Sequence, residues 1–257
     1  PANINAVAAG LKIAPESTEI LINNDSGGDH VAWRGALTTE NSFLFYSHDI
    51  HEIRAYNRLG LFANSEMLIT LQDDDVPTDK RWIDWSLEIF HTHPRLIYMT
   101  GYRARTGTGG PGNYGLGKSK MPTKTAGQPF AFAYKLVAGP LHMRRSTWLE
   151  LGMFNMNFSC AGDPGIHFEY EYSLRTWFRD YQAGIYDCKF SHHVGNWKSS
   201  GTRANKKVSG RRAEIGNRNS RNVKFMYRNL HGNADAPLMR KAGLVQQLFQ
   251  KGKLYKN

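Results

Sequence analysis

The chain has 257 residues, of which 40% are hydrophobic and 12% aromatic, and its formal net charge is +11. This length and composition support a buried core and exclude an intrinsically disordered chain. The sequence shows no apolar run long enough to span a bilayer and no cleavable signal sequence, and its two cysteines, Cys160 and Cys188, are too few for a disulfide framework. We expect a cytoplasmic protein if the sequence is complete, and a Golgi-lumen protein if an upstream anchor was removed.

The positive charge predicts a polyanion as partner: nucleic acid, an acidic membrane or a phosphorylated small molecule. It is concentrated between Lys198 and Arg228, where only Glu214 opposes a set of basic residues. These are Lys206, Lys207, Arg211, Arg212, Arg218, Arg221 and Lys224.

In chain order, hydrophobic periodicity predicts helices over 3–13, 49–64 and 79–91, and strands over 19–23, 67–72 and 96–100. Residues 101–128 are Gly-rich and polar, which predicts a loop passing over a site. We expect regular structure again at 137–143, and then helices over 144–154 and 169–181 and a strand over 184–190. A basic, turn-rich stretch follows, and the last predicted helix covers 222–230. Alternating strands and helices predict a doubly wound parallel sheet.

Polar clusters follow two of these strands, "NDSGGD" at residues 24–29 and "QDDD" at 72–75. Ligands of such sheets bind beyond the carboxyl ends of the strands. Asp73 and Asp75 can face one divalent ion, and Mg²⁺ and Mn²⁺ prefer oxygen ligands. The alternative is a charge cluster that favours the next helix dipole, but three acids exceed that need, so we favour metal binding. For the first cluster alone, a plain turn is the preferred explanation.

Two further groups are candidates. Asp163, Glu169 and Glu171 lie where a loop enters a helix, either as ordinary partners of the helix dipole or with one as general base, and the residues leave this open. His192 and His193 end a strand at the same sheet edge, where one imidazole could complete a metal shell, although most histidines are core or surface residues.

Five segments in order resemble the GT-A nucleotide-sugar glycosyltransferases, and most of all glycosyltransferase family two. They cover residues 4–228 and read "EILINNDSGGD", "AYNRLGLFANSE", "LQDDDVP", "GPLHMRRSTWLELGMF" and "FEYEYSLRTW". The chain departs from the family at Tyr56, where Arg is usual, and at Phe168-Glu169, where Glu-Asp is usual. The "DDDV" run also resembles exostosin-like transferases, which retain configuration.

The resemblance implies a role for each matched position. Asn24 and Asp25 would contact the nucleobase with Asp29 nearby, and Asn57 and Asp74 would belong to the donor site. Mn²⁺ or Mg²⁺ would be held by Asp73, Asp75 and one of His192 and His193. Glu169 would be the base, with Glu171 and Asp163 in reserve, and Arg211, Arg212 and Lys206 would contact the diphosphate.

The implied fold is a single GT-A domain with a mostly parallel sheet, whose first strand is missing or upstream because the sequence starts inside the first predicted helix. We expect a nucleotide-sugar-binding half over 1–100, an acceptor-binding and catalytic half over 101–194, and a basic segment over 195–257.

The predicted activity is metal-dependent transfer of a sugar, most simply from a UDP-sugar, to a hydroxyl of a glycan or another acceptor with inversion. Alternatives are a retaining transferase, a nucleotidyltransferase and a basic nucleic-acid-binding module. The last would leave the carboxylates unexplained, and no nucleic-acid-reading motif is present, so we predict no nucleic-acid partner. The sequence does not predict the oligomeric state.

Overall fold

The computed structural model describes residues 2–26, 28–37, 40–106, 121–137, 139–159, 163–191, 206–232 and 235–255. The first half contains four helices and five strands in these ranges. They are α1 (Ala2–Leu11), β1 (Ile20–Asn24), α2 (His30–Ala36), β2 (Ser42–Tyr46), α3 (His51–Phe62), β3 (Met67–Thr70), β4 (Val76–Pro77), α4 (Trp82–Thr92) and β5 (Leu96–Thr100).

The second half contributes six strands, four helices and a 3₁₀ turn at Met156–Phe158. Its elements are β6 (Arg103–Thr106), β7 (Thr123–Thr125), β8 (Gln128–Val137), β9 (Leu141–Arg144), α5 (Arg145–Glu150), α6 (Phe168–Phe178), β10 (Gln182–Tyr186), β11 (Phe190–Ser191), α7 (Lys206–His231) and α8 (Asp235–Gln250).

Seven strands form the central sheet, in the order β3-β9-β5-β10-β8-β6 with β7 paired to β8. β5 and β10 are parallel, whereas β9 runs antiparallel to both β3 and β5. β3, β5 and β10 therefore point the same way, although the sheet is mixed rather than mostly parallel.

The centre of this sheet is the core of the protein. β5 ("LIYMT") and β10 ("QAGIY") are buried at every residue, as expected for strands covered on both faces. Helix α6 covers one face, and its Trp177, which is fully buried, donates its indole N–H to the Ala133 carbonyl at 2.9 Å.

A separate two-stranded sheet is formed by β1 and β2, which run parallel with Ile20 opposite Ser42. A small apolar cluster of Ile4, Val7 and Trp33 packs beside it. A third sheet pairs β4 with β11, so that Ser191 lies opposite Val76.

The α/β architecture of helices flanking a sheet is confirmed, and nine of the predicted helices and strands are found near their predicted positions. The sequence analysis missed α2, β2, β4, β8 and α8, and it expected turns where α7 already runs from Lys206. The predicted loop over 101–128 begins and ends in strands β6 and β7, and its residues 107–120 lie outside the described part of the chain. The division into three functional segments stays a prediction.

The next two findings, on membrane-spanning helices and on cysteines, apply to the described residues only. None of the described helices is long and apolar enough to cross a membrane. Cys188 is a buried free thiol, while Cys160 lies outside the described residues.

Candidate active site

The turn after β1 is held together by its own side chains. Asn24 is 4% exposed, donates to the Gly28 carbonyl at 3.0 Å and accepts the Ser26 backbone N–H at 3.1 Å. The exposed Asp29 has a left-handed backbone (φ 61°) at the residue before α2. The polar atoms of Asn24 thus shape the loop in which a nucleobase contact was predicted.

Asp25 joins the end of β1 to the start of α3. Its carboxylate accepts the Ser47 hydroxyl at 2.6 Å and the backbone N–H groups of Ile50 and His51 at 3.0 and 2.9 Å. Free N–H groups at a helix start need acceptors and favour negative charge. Asp25 therefore caps α3 from another element and fixes this helix against β1.

The aspartates after β3 form a tight turn. The Asp75 carboxylate accepts the Gln72 backbone N–H at 3.1 Å, and Asp75 is fully buried. Asp74 is 8% exposed, whereas Asp73 stands exposed at the mouth of the cleft. Desolvation by the surrounding protein raises the pKa of Asp73, and the charges of Asp74 and Asp75 raise it further. A cation placed there would relieve this repulsion.

Glu52 is a site residue that the sequence analysis missed. It lies in the first turn of α3 and accepts the Gln72 side-chain N–H at 2.9 Å, one residue before the aspartates. Desolvation raises the pKa of Glu52, although the Gln72 hydrogen bond and the charge of Arg212 act in the opposite direction. An acid in the first turn of an amphipathic helix is common, so nothing in the sequence distinguished this one.

The phenol of Tyr56 lies where these groups converge. Burial raises its pKa well above the usual value, and four carboxylates raise it further through their charge. These are Glu52, Asp75, Glu169 and Asp73. Both predicted metal ligands and the predicted base are therefore near enough to Tyr56 to act on it through their charge.

The three candidate base residues have different surroundings. Glu171 is 2% exposed and binds Arg175 through both oxygens, at 3.1 and 2.6 Å, as well as the Tyr227 hydroxyl at 2.6 Å. Asp163 is 3% exposed and forms ion pairs with Arg211 and Arg218 at 3.3 and 3.2 Å.

Glu169 is only partly buried. Its charge helps to raise the pKa values of both Tyr56 and Tyr98, after the larger effect of burial. Of the three acids, Glu169 is therefore the one placed with Asp73 and Asp75.

The described arginines of α7 interact with two different carboxylates. Arg211 and Arg218 fasten the helix to Asp163, while Arg212 acts on Glu52. Arg212 is therefore close enough to Glu52 to act on it through its charge, whereas Arg211 forms an ion pair with Asp163. Lys206 belongs to α7, and its side chain lies outside the described part.

Asn57 has a clear structural role. It is 5% exposed, and its amide and carbonyl groups bind the backbone carbonyl and N–H of Phe154 at 2.8 and 3.1 Å. This side chain joins α3 to the loop after α5, which differs from the ligand contact expected from the sequence.

His192 and His193 lie outside the described residues. The pairing of β11 with β4 nevertheless places Ser191 opposite Val76. The residue that precedes His192 is thus across from the residue that follows Asp75.

A divalent ion is compatible with the chemistry of part of this site. Among the described residues, no three His, Cys, Asp or Glu side chains are arranged as a metal-binding group. Asp73 and Asp75 supply the oxygen donors that Mg²⁺ and Mn²⁺ prefer, and the crowding of negative charge around Tyr56 favours a cation. The described carboxylates therefore fit such an ion but do not make up its full ligand set.

The sequence matches no known protein family and no curated protein. Solved structures nevertheless share its fold. GalNAc-T7 with UDP, GalNAc and Mn²⁺ has a TM-score of 0.54 at 13% identity, covering 71% of this chain and 39% of that one. TarS of S. aureus has a TM-score of 0.55 at 10% identity, covering 96% and 41%. TarS 1-349 in complex with UDP-GlcNAc has a TM-score of 0.51 at 13% identity, covering 77% and 57%.

The chain thus spans between 39% and 57% of these structures. Identities of 10% to 13% show a common fold, and membership of glycosyltransferase family two stays a prediction. The chain is an α/β protein with the GT-A fold.

Proposed function

We propose that this protein is a glycosyltransferase that moves a sugar from a nucleotide-diphosphate donor to a hydroxyl group. One observation carries the proposal: three aspartates, Asp73, Asp74 and Asp75, directly follow β3, and Asp73, Asp75 and Glu169 all raise the pKa of Tyr56 through their charge. The fold adds support, because two of the structures that share it contain UDP or UDP-GlcNAc.

The donor would lie between the ends of β1 and β3. The start of α3 connects the two ends, since its first N–H groups bind Asp25 and its Glu52 binds Gln72. Asp25 has accepted three hydrogen bonds, and a carboxylate offers about four lone-pair sites, so one site is left for a base N–H. A uracil ring would place an N–H donor there.

Asp73 and Asp75 would hold Mn²⁺ or Mg²⁺, with His192 or His193 as a further ligand. Such an ion supplies positive charge to the donor diphosphate as the leaving group becomes more negative. Arg212 would add to that charge from α7, where its charge already acts on Glu52.

Glu169 would act as general base. It takes the proton of the acceptor hydroxyl, whose oxygen forms a bond to the anomeric carbon while the bond from that carbon to the diphosphate oxygen breaks. Attack on the face opposite the leaving group inverts the configuration. The ion pairs of Glu171 and Asp163 make both acids unsuitable as a base that must gain and lose a proton.

Saturation-transfer NMR with UDP-, GDP- and TDP-sugars in the presence of Mn²⁺ tests the donor class. We expect binding of at least one UDP-sugar, with the strongest transfer to the uracil and ribose protons, and its loss in Asp73→Asn. The absence of binding for every donor would contradict the proposal.

Product analysis separates the proposal from a nucleotidyltransferase. Turnover of a bound sugar donor should release a nucleoside diphosphate, whereas release of pyrophosphate would identify the alternative. NMR of the anomeric proton in the product would distinguish inversion from retention.

A further inference from the structure

Helix α7 carries more positive charge than the candidate active site uses. Its first half supplies Arg211 and Arg218, which pair with Asp163, and Arg212, whose charge acts on Glu52. Its second half adds three more cations, Arg221, Lys224 and Arg228. The proposed sugar transfer gives these three residues no role.

The buried face of α7 fixes the direction in which the second half of the helix points. Asn219 is fully buried and donates its amide to the carbonyls of Phe158 and Ile166, each at 2.8 Å. Tyr227, two turns later, donates its hydroxyl to the Glu171 carboxylate at 2.6 Å. Rotation of α7 about its axis would break these buried hydrogen bonds, so the opposite face of the helix stays outward.

The outward face of this half combines the three cations with one large apolar side chain. Phe225 is 69% exposed, and Arg221, Lys224 and Arg228 are exposed as well. These positions are spaced i, i+3, i+4 and i+7, so they lie on one side of the helix within two turns. The four residues form the outer patch of α7, in which Phe225 stands among the cations.

The charge of the outer patch is not neutralised locally. Within the described ranges, no hydrogen bond or ion pair involves the side chains of its three cations. Glu214 is the acid of α7, and it precedes the patch by two turns. A single exposed apolar side chain is ordinary on a protein surface, but one surrounded by unneutralised cations is suited to a partner that is both anionic and apolar.

An anionic bilayer has both properties. Helices that lie on such a surface present Lys and Arg to the lipid phosphates and place an aromatic side chain at the boundary between headgroups and acyl chains. The long stems of Lys and Arg let their charges stay at the phosphates while the ring lies deeper. Single-stranded nucleic acid, by contrast, binds in a groove where several rings stack on successive bases, whereas the outer patch has one ring on a convex helix.

We propose that the outer patch of α7 docks the protein on bilayers that contain anionic phospholipids, with the helix in the plane of the surface and Phe225 inserted among the headgroups. Each cation near such a surface strengthens binding about fivefold, so the three together contribute about 100-fold. Attachment of this kind is reversible and weakens with salt. The docking goes beyond the proposed sugar transfer and does not depend on it.

Cosedimentation of the full chain with lipid vesicles tests the charge of the patch. Vesicles of phosphatidylcholine with about 30% phosphatidylserine should bind the chain at least about tenfold more tightly than phosphatidylcholine alone. Neutralising the three cations of the patch together should weaken this binding about 100-fold, and the control less than about threefold. The patch variant carries Arg221→Gln, Lys224→Gln and Arg228→Gln. The control makes the same change in net charge at exposed lysines outside α7, with Lys80→Gln, Lys124→Gln and Lys253→Gln.

A second pair of variants tests the insertion of the ring. Phe225→Ser should weaken binding to the anionic vesicles about tenfold, because the apolar area of Phe225 no longer leaves water. Leu61→Ser is the matched control, since Leu61 is 53% exposed near the end of α3. It should leave vesicle binding unchanged, and an equal loss in both variants would contradict insertion at Phe225.

Several results would overturn the docking proposal. These are no binding to anionic vesicles, equal weakening in the two triple variants, and binding that does not weaken as NaCl rises from about 0.1 M to about 0.5 M. Binding to duplex DNA but not to vesicles, lost in the patch variant, would assign the patch to nucleic acid and contradict the proposal.

Two further measurements keep the test decisive. If the patch variant does not fold, as judged by circular dichroism, Lys224→Gln alone should weaken vesicle binding about fivefold, and no change would refute the proposal. Binding of UDP with Mn²⁺ should be the same in the wild type and the patch variant. Loss of UDP binding in the patch variant would place these cations at the donor site and contradict a separate docking surface, whereas a wild type that binds vesicles but not UDP would contradict the proposed function alone.

Discussion

The seven-stranded sheet and the region at the carboxyl ends of β1 and β3 both contain short apolar strands, but they differ in burial and in charge. β5 and β10 are buried at all five residues, whereas β1, with "ILINN", is buried only at Ile20 and Asn24. The two central strands of the first region contain no charged residue. The second gathers Glu52, Asp73 and Asp75 around a half-open cleft. We infer that stability comes mainly from the first region and that the chemistry belongs to the second.

The largest effect on stability should come from the core of the seven-stranded sheet. Trp177→Ala removes a fully buried indole and its hydrogen bond to Ala133, and should lower the free energy of unfolding by about 3–5 kcal/mol. Leu21→Ala in the half-exposed β1 should cost about 1 kcal/mol. Urea denaturation measures both, and equal losses would mean that the two regions do not differ in this way.

In the cleft, the largest effect should be on catalysis. Glu169→Gln removes the proposed base and should lower the rate of sugar transfer about 100-fold or more, with little change in Tm.

Glu171→Gln is the matched control two residues away. It leaves the half-buried Arg175 without its charged partner and should cost about 3 kcal/mol of stability, with a smaller effect on rate per folded molecule. If Glu171→Gln abolished turnover while Glu169→Gln did not, the assignment of the base would be wrong.

The contact between α3 and the loop after α5 can be tested at Asn57. Asn57→Ala leaves the backbone groups of Phe154 without partners in a buried place and should cost about 2 kcal/mol. Asn64→Ala, in an exposed position on the loop after α3, should change stability by less than about 0.5 kcal/mol. Thermal unfolding of the two variants compares them directly, and similar values would show that the Phe154 bonds contribute little.

The smallest expected effect is on the way the free energy of unfolding depends on pH. Desolvation raises the pKa of Glu52 in the folded state, so the folded protein holds this proton more tightly than the unfolded chain does. The shift therefore does not lower the free energy of unfolding at a pH below the pKa of Glu52 in the unfolded chain. It lowers the free energy of unfolding more and more as the pH rises from the unfolded pKa to the folded one. Glu52→Gln should become more stable relative to the wild type as the pH rises above the ordinary pKa of a glutamate. A difference in unfolding free energy that is independent of pH would contradict the shift.

Much of the fold was predictable because many of its helices and strands have a clear hydrophobic pattern in the sequence. β5 was predicted with its correct ends since four apolar residues and a threonine between a turn and a Gly leave little choice. β2 carried a comparable pattern in "SFLFY" that was overlooked, so this error was avoidable. α2 is only seven residues long and has no side-chain cap, and little in its sequence marks it.

The candidate site was predictable where strand ends carry unusual charge. Asp73 and Asp75 stood out because three acids follow an apolar strand. Glu52 could not be distinguished from an ordinary first-turn acid, since its role depends on Gln72 in another element. The ion pairs of Asp163 likewise join residues about 50 positions apart, and sequence spacing says nothing about them.

The most direct test of the account is calorimetric titration of UDP into the wild type and Asp73→Asn, each with Mn²⁺ and with EDTA. We predict saturable binding by the wild type that Mn²⁺ strengthens about tenfold or more, and loss of that gain in the variant at unchanged Tm. No binding of UDP to the wild type, or the same Mn²⁺ effect in both proteins, would contradict a donor site at the carboxyl end of β3.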